Sequence, residues 1–145
     1  MSEKTKRTLK LGTVAVALLL LAIQLVPVER SNPPVKSALA APAAVGEILV
    51  VSCYDCHSHE TRWPWYSRLA PMSWWIASHV KAGRGHLNFS EWPTFDFDSQ
   101  DLIFQEIEEQ LEAGEMPLKS YLRGHPEARL SDEQREILLR WARGE

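Results

Sequence analysis

Cys53-Tyr54-Asp55-Cys56-His57 holds the only two cysteines of a 145-residue chain. Two cysteines this close cannot build a disulfide framework. Their spacing suits a different chemistry. Two thiols one helical turn apart can add to the vinyl groups on adjacent edges of a porphyrin, and the next residue then presents its imidazole to the iron from the same side. Scattered at random, this composition would produce the pattern about once in two thousand arrangements. A thioredoxin-like pair would want a strand–helix context, which the flanking residues do not offer. A zinc site would need two further ligands. His59 and a distant histidine are available, but no second paired motif follows. The motif reads as the attachment site of one covalent c-type haem, with Cys53 and Cys56 as thioether positions and His57 as the axial ligand.

Working outward, Val45 to Val51 is mostly apolar and reads as a short helix feeding into the cysteines. Downstream, Pro71 suits the first turn of a second helix, running from about Met72 to Ala82 and stopped near Gly83 or Gly85. Trp75, His79 and Gly83 would share one of its faces. A third helix is capped by Ser99, repeats Ile103, Ile107 and Leu111 every four residues, and stops at Gly114. Glu106, Glu108, Glu109 and Glu112 form its solvated side. A fourth opens at Ser131 with Gln134 as a capping box and carries Ile137, Leu138 and Trp141 as its apolar stripe. With no β-alternation and no internal repeat, the fold class is all-α.

Leu11 to Val28 has no charge and one amide, Gln24, behind the basic cluster Lys4, Lys6, Arg7 and Lys10. As a helix it is about 27 Å long, close to a bilayer core of roughly 30 Å. The cluster keeps the N-terminus cytoplasmic and sends the rest of the chain outward. A cleaved signal peptide is the alternative, with Ala38-Leu39-Ala40 as the site, but that triplet lies well beyond the apolar run. Export holds under either reading. The expected organisation is a cytoplasmic basic segment over 1–10, a transmembrane anchor or signal peptide over 11–28, a Pro- and Ala-rich tether over 29–44, and a haem-binding domain over 45–145. From Asn32 to Ala44 the tether would reach roughly 40 Å if polyproline-like, letting the domain swing between partners. Beyond residue 30 the chain keeps 11 of its 16 basic and 17 of its 19 acidic side chains, a formal −6. That balance is no nucleic-acid footprint, and it suits redox partner proteins with a basic patch.

Candidates for the second axial ligand are Met72, Met116, His59, His79, His86 and His125. Met116 is preferred because it follows the end of the third helix and is stiffened by Pro117. A Met/His pair raises the reduction potential. Its alternative role is core gap-filling. Met72 reads as packing, His59 lies too near His57 to reach the opposite face, and His79 is the best histidine alternative. Arg62, Trp63, Tyr66 and Trp74, with Trp65, Arg68 and Trp75, crowd the stretch after the motif. Such groups hold propionates and wall the macrocycle in haem proteins, and core packing explains the Trp residues equally well.

These residues resemble a known family, the small bacterial haem-binding domain proteins with a single C-x-x-C-H. The resemblance rests on the motif with Ser58, then Glu60-Thr61-Arg62-Trp63-Pro64-Trp65-Tyr66-Ser67, Ala70-Pro71, Ser73-Trp74 and Gly83-Arg84. It continues through His86-Leu87-Asn88-Phe89-Ser90-Glu91-Trp92, Met116-Pro117, Tyr121, His125-Pro126 and Leu130-Ser131. It covers about Asn32 to the C-terminus. His59 departs from the pattern, where Asn is expected. The resemblance implies a small cytochrome c-like helical haem domain behind an N-terminal membrane segment, with Met116 like the distal Met of small c-type cytochromes.

Two function classes follow. One is an electron carrier with both axial positions filled, held at the bacterial inner membrane and facing the periplasm, with no residue acting as acid, base or nucleophile. The other is a haem enzyme, peroxidase-like, or a gas or redox sensor with an open distal site, for which His79 and Arg84 are the candidates. Met116 favours the first. A structural or assembly factor stabilised by its haem is the blandest reading.

Overall fold

The computed structural model describes the backbone of residues 2–92 and 97–145, and the side chains of these except 97–99. Among the described residues six α-helices follow one another: α1 (Glu3–Ala22), α2 (Ala43–Ser52), α3 (Tyr54–His57), α4 (Met72–His86), α5 (Phe97–Glu112) and α6 (Asp132–Ala142). Short 3-10 turns lie between them. Among the described residues no strand forms, so the chain is all-α as expected, with one isolated parallel bridge between Ser37 and Glu91. The chain divides into two compact units, Met1–Arg30 with Trp63–His79, and Ser31–Arg62 with Val80–Glu145.

In the first unit, α1 starts inside the basic cluster, capped by the Ser2 side chain, and passes into a 3-10 turn over Ile23–Leu25. Glu3–Leu25 is long and apolar enough to cross a membrane, and none of its most apolar stretch is buried. Gln24 joins this helix to Ala70: its Nε2 donates to the Ala70 carbonyl (3.1 Å) and its Oε1 accepts from the Ala70 N–H (2.9 Å). Arg30 Nη1 donates to the Ser67 carbonyl at 2.7 Å.

The second unit holds the core. Val45, Ile48, Leu49 and Ser52 fall on one face of α2 and are buried, the i, i+3, i+4, i+7 spacing of an amphipathic helix. They pack with Phe89, Trp92, Leu111, Leu130, Leu138 and Leu139. The expected capping box of α6 is present, Ser131 and Gln134 each bonding the other's backbone. Phe104 of α5 meets Trp141 of α6 edge to face at 5.1 Å. Arg135 donates to the Leu111 carbonyl. Gly114 adopts φ 66°, the left-handed stop that its position after α5 requires.

Four expectations change. First, α5 begins at Phe97, so Ser99 lies inside the helix instead of capping it, and its side chain is outside the described residues. Second, the acidic side of α5 is exposed as expected at Glu106, Glu109 and Glu112, but Glu108 is half-buried, and Arg143 of α6 pairs with Glu108 (2.5 Å) and Glu112 (2.6 Å). Third, α4 does not stop at Gly83 or Gly85 but continues through both to His86. Fourth, the tether is extended but docked. Lys36 and Ser37 N–H groups donate to the Ser90 carbonyl, Leu39 N–H to that of Phe89, and Lys36 pairs with Glu91 at 2.7 Å. Composition marked the segment as unable to form a helix; it did not mark the backbone partners waiting for it at 89–90.

Candidate haem site

Cys53 ends α2. Its N–H still donates to the Leu49 carbonyl (2.8 Å), but its backbone leaves the helical region at φ −127°, ψ −35°. Its carbonyl then accepts from both Cys56 N–H (3.1 Å) and His57 N–H (3.0 Å), closing the single turn α3. That turn fixes the spacing inferred from the motif. Both cysteines are free thiols. Burial, and then Cys56, pushes the Cys53 thiol up to about 12. Burial and Asp55 push Cys56 up to about 11, with Arg84 acting the other way. Neither is a thiolate at neutral pH, unlike the lowered lead cysteine of a dithiol exchanger.

His57 is held from both sides. Its Nδ1 lies 3.2 Å from the Leu87 carbonyl, just beyond the end of α4. Burial pushes its pKa down, against the Leu87 and Gly83 carbonyls, so the neutral imidazole prevails. Nδ1–H then donates to Leu87 and leaves the Nε2 lone pair for a metal, the arrangement that orients axial histidines. Phe89 packs edge-on to the ring with centroids 6.4 Å apart, and its N–H donates to the His57 carbonyl at 2.8 Å. The glycine thought to end α4 is needed here for contact: a Cβ on Gly83 would lie 2.6 Å from the Cys56 carbonyl oxygen. These features fit a c-type haem.

Between the cysteines, Asp55 is buried and fully engaged. It accepts from the Arg62 backbone N–H (2.9 Å), Arg62 Nε (3.1 Å), Arg62 Nη2 (3.0 Å) and the Tyr121 hydroxyl (2.6 Å). Burial opposes its charge, but the hydrogen bonds from Arg62 and Tyr121 outweigh that and hold its carboxyl below the ordinary range. Arg84 is likewise committed. It donates to the carbonyls of Ser58 and Ser31, to Asn32 Oδ1 and to Thr61 Oγ1, all within 3.0 Å. His59 is buried, with Nδ1 on the Pro34 carbonyl (3.1 Å) and Nε2 on Asn88 Nδ2 (2.8 Å). At this position, where the resemblance calls for Asn, the ring joins the docked segment to the Asn88–Glu91 turn.

Cys53, Cys56, His57 and Arg62 come together in the second unit, and Met116 belongs to the same unit. Met116 is half-buried, its N–H reaches the Gln110 carbonyl, and its bond to Pro117 is cis. Trp63, Tyr66 and Trp74 belong to the first unit, as do Met72 and His79. His79 Nδ1 bonds the Trp75 carbonyl at 2.8 Å. His125 stacks on Tyr121 with centroids 4.2 Å apart, and His86 is exposed. Among the described residues no group of three or more His, Cys, Asp or Glu is placed to hold a metal ion. Asp55, Gly83, Leu87 and Tyr121 went unrecognised as site residues. All four lie in stretches that carry the resemblance, and Gly83 was also read as a helix stop, but none had been given a part in the site.

A family described as a haem-binding domain matches residues 18–144. No curated protein and no solved structure matches the chain.

Proposed function

Because this chain belongs to the haem-binding domain family, we propose that it is a membrane-anchored monohaem electron carrier. Cys53 and Cys56 would hold the haem through thioether bonds, and His57 and Met116 would ligate its iron. The observation that supports this reading is the His57 Nδ1 contact with the Leu87 carbonyl, which would leave Nε2 to ligate an iron. When bound, the haem supplies a one-electron couple at its iron, which a Met/His pair shifts to higher potential. The chain's own part is to hold that group still. Asp55, tied to Arg62 and Tyr121, fixes the turn that carries both cysteines. The Leu87–Phe89 segment fixes the imidazole. α1 keeps the site at the membrane, on the periplasmic side given the basic N-terminus, and the acidic outer residues favour cationic redox partners.

The competing peroxidase or sensor reading asks for a distal Arg or His. Arg84 is spent on Ser58, Ser31, Asn32 and Thr61, whereas His79 bonds the Trp75 carbonyl through Nδ1, so this reading would rest on His79 Nε2. Absorption spectra of the oxidised and reduced chain, matured in a host that attaches c-type haem, test the proposal. The account expects low-spin bands with a sulfur-to-iron charge-transfer feature that Met116→Ala abolishes. A high-spin wild-type spectrum, or one indifferent to the substitution, would remove Met116 and put the open-site reading first.

A further inference from the structure

We propose that the Trp65–Trp75 stretch is an interfacial lipid-binding element, seated in the outer leaflet at the boundary of headgroups and acyl chains beside the end of α1. The proposal rests on the anchored reading above. Its first support is position. Gln24 carries the only amide side chain in the uncharged run 11–28, and both ends of that amide are bonded to the backbone of Ala70. From Leu11 to Gln24 the helix rises only about 20 Å, short of the roughly 30 Å core. Gln24 therefore sits within the outer apolar edge, where an unpaired amide is costly. The Ala70 peptide groups satisfy the amide there and are satisfied by it. That reciprocal pair fixes the Leu69–Met72 loop at the same depth, and Arg30 on Ser67 repeats the latch closer to water.

The second support is what this stretch exposes. Trp65 is 74% exposed, Leu69 49%, Met72 46% and Trp75 45%, although all are large and apolar. A patch of this kind on a soluble surface marks an interaction site. Trp in particular favours the membrane–water interface, where its ring is half in hydrocarbon and its N–H stays wet. The charge agrees as well. Residues 63–79 contain no Asp or Glu in an otherwise acidic outer chain, and the exposed Arg68 suits anionic headgroups.

The test uses the full haem-loaded chain in vesicles of phosphatidylcholine and phosphatidylglycerol. These contain a phospholipid with a photoactivatable diazirine near the glycerol end of its acyl chain, and labelled residues are mapped by mass spectrometry. Label on both α1 and residues 65–75 is expected. Gln24→Leu, which keeps the span apolar, should cut the label on 65–75 several-fold and leave that on α1. Label on α1 alone in the wild type overturns the proposal while the anchor stands, and would return the exposed aromatics to the haem or to a protein partner. Absence of label from both overturns the anchored reading and this proposal together. Label on 65–75 that survives Gln24→Leu overturns the latch.

Discussion

Tyr121 reaches Asp55 across 66 positions of sequence and ends 2.6 Å from its carboxylate. The bond matters because Asp55 is buried in the middle of the attachment turn, where its charge must be compensated. A hydrogen bond to a charged acceptor contributes about 1.5 to 3 kcal/mol. Tyr121 is only half-buried, so Tyr121→Phe is expected to cost the lower figure, and Asp55→Ala more, because it removes the bonds from Arg62 and from the Tyr121 hydroxyl together. Urea titration of the detergent-solubilised chain would check this; a Tyr121→Phe midpoint equal to wild type would show that the hydroxyl contributes nothing. None of this was legible in the motif. Asp55 occupies one of its two unspecified positions, and a side-chain bond between distant residues leaves no periodicity to read. The turn over Cys53–His57 was legible because the motif has a fixed local spacing.

At the scale of the element, α4 shows where local rules give way to packing. Two glycines near a helix end ordinarily signal a stop. Here they play different parts. Gly83 lies against Cys56 with no space for a side chain, whereas a Cβ on Gly85 would meet nothing within 4 Å. Gly83→Ala must push α4 away from the attachment turn, a strain of about 1 to 3 kcal/mol. Gly85→Ala should instead stabilise the helix by about 0.5 to 1 kcal/mol. Denaturation of the two variants beside wild type separates the readings, since equal effects would mean that the contact at Gly83 carries no strain. The apolar stripes of α5 and α6 were readable because burial selects a helical period, and the Ser131–Gln134 box because capping is local. The start of α5 was misplaced by a plausible cap at Ser99 that the helix runs past.

For the whole molecule, sequence separated an anchor, a tether and a haem domain in chain order, whereas the folded chain groups its residues differently. Residues 63–79 leave the second unit and join α1, and residues 31–39 lie along 88–91 as part of it. Composition cannot foresee either event, since both depend on backbone carbonyls presented by distant turns. What survives the regrouping is the attachment turn, built within one unit from α2, α3 and the residues around Leu87. Central to the proposed function is that this turn holds haem covalently. Intact mass under denaturing conditions, on the full chain matured in a host with c-type haem attachment, tests this most directly. Wild type should retain the mass of one haem through denaturation and acidic solvent extraction, and the Cys53→Ala/Cys56→Ala double variant should retain none. Haem that leaves the wild-type chain on denaturation, or that stays on the double variant, would contradict the account.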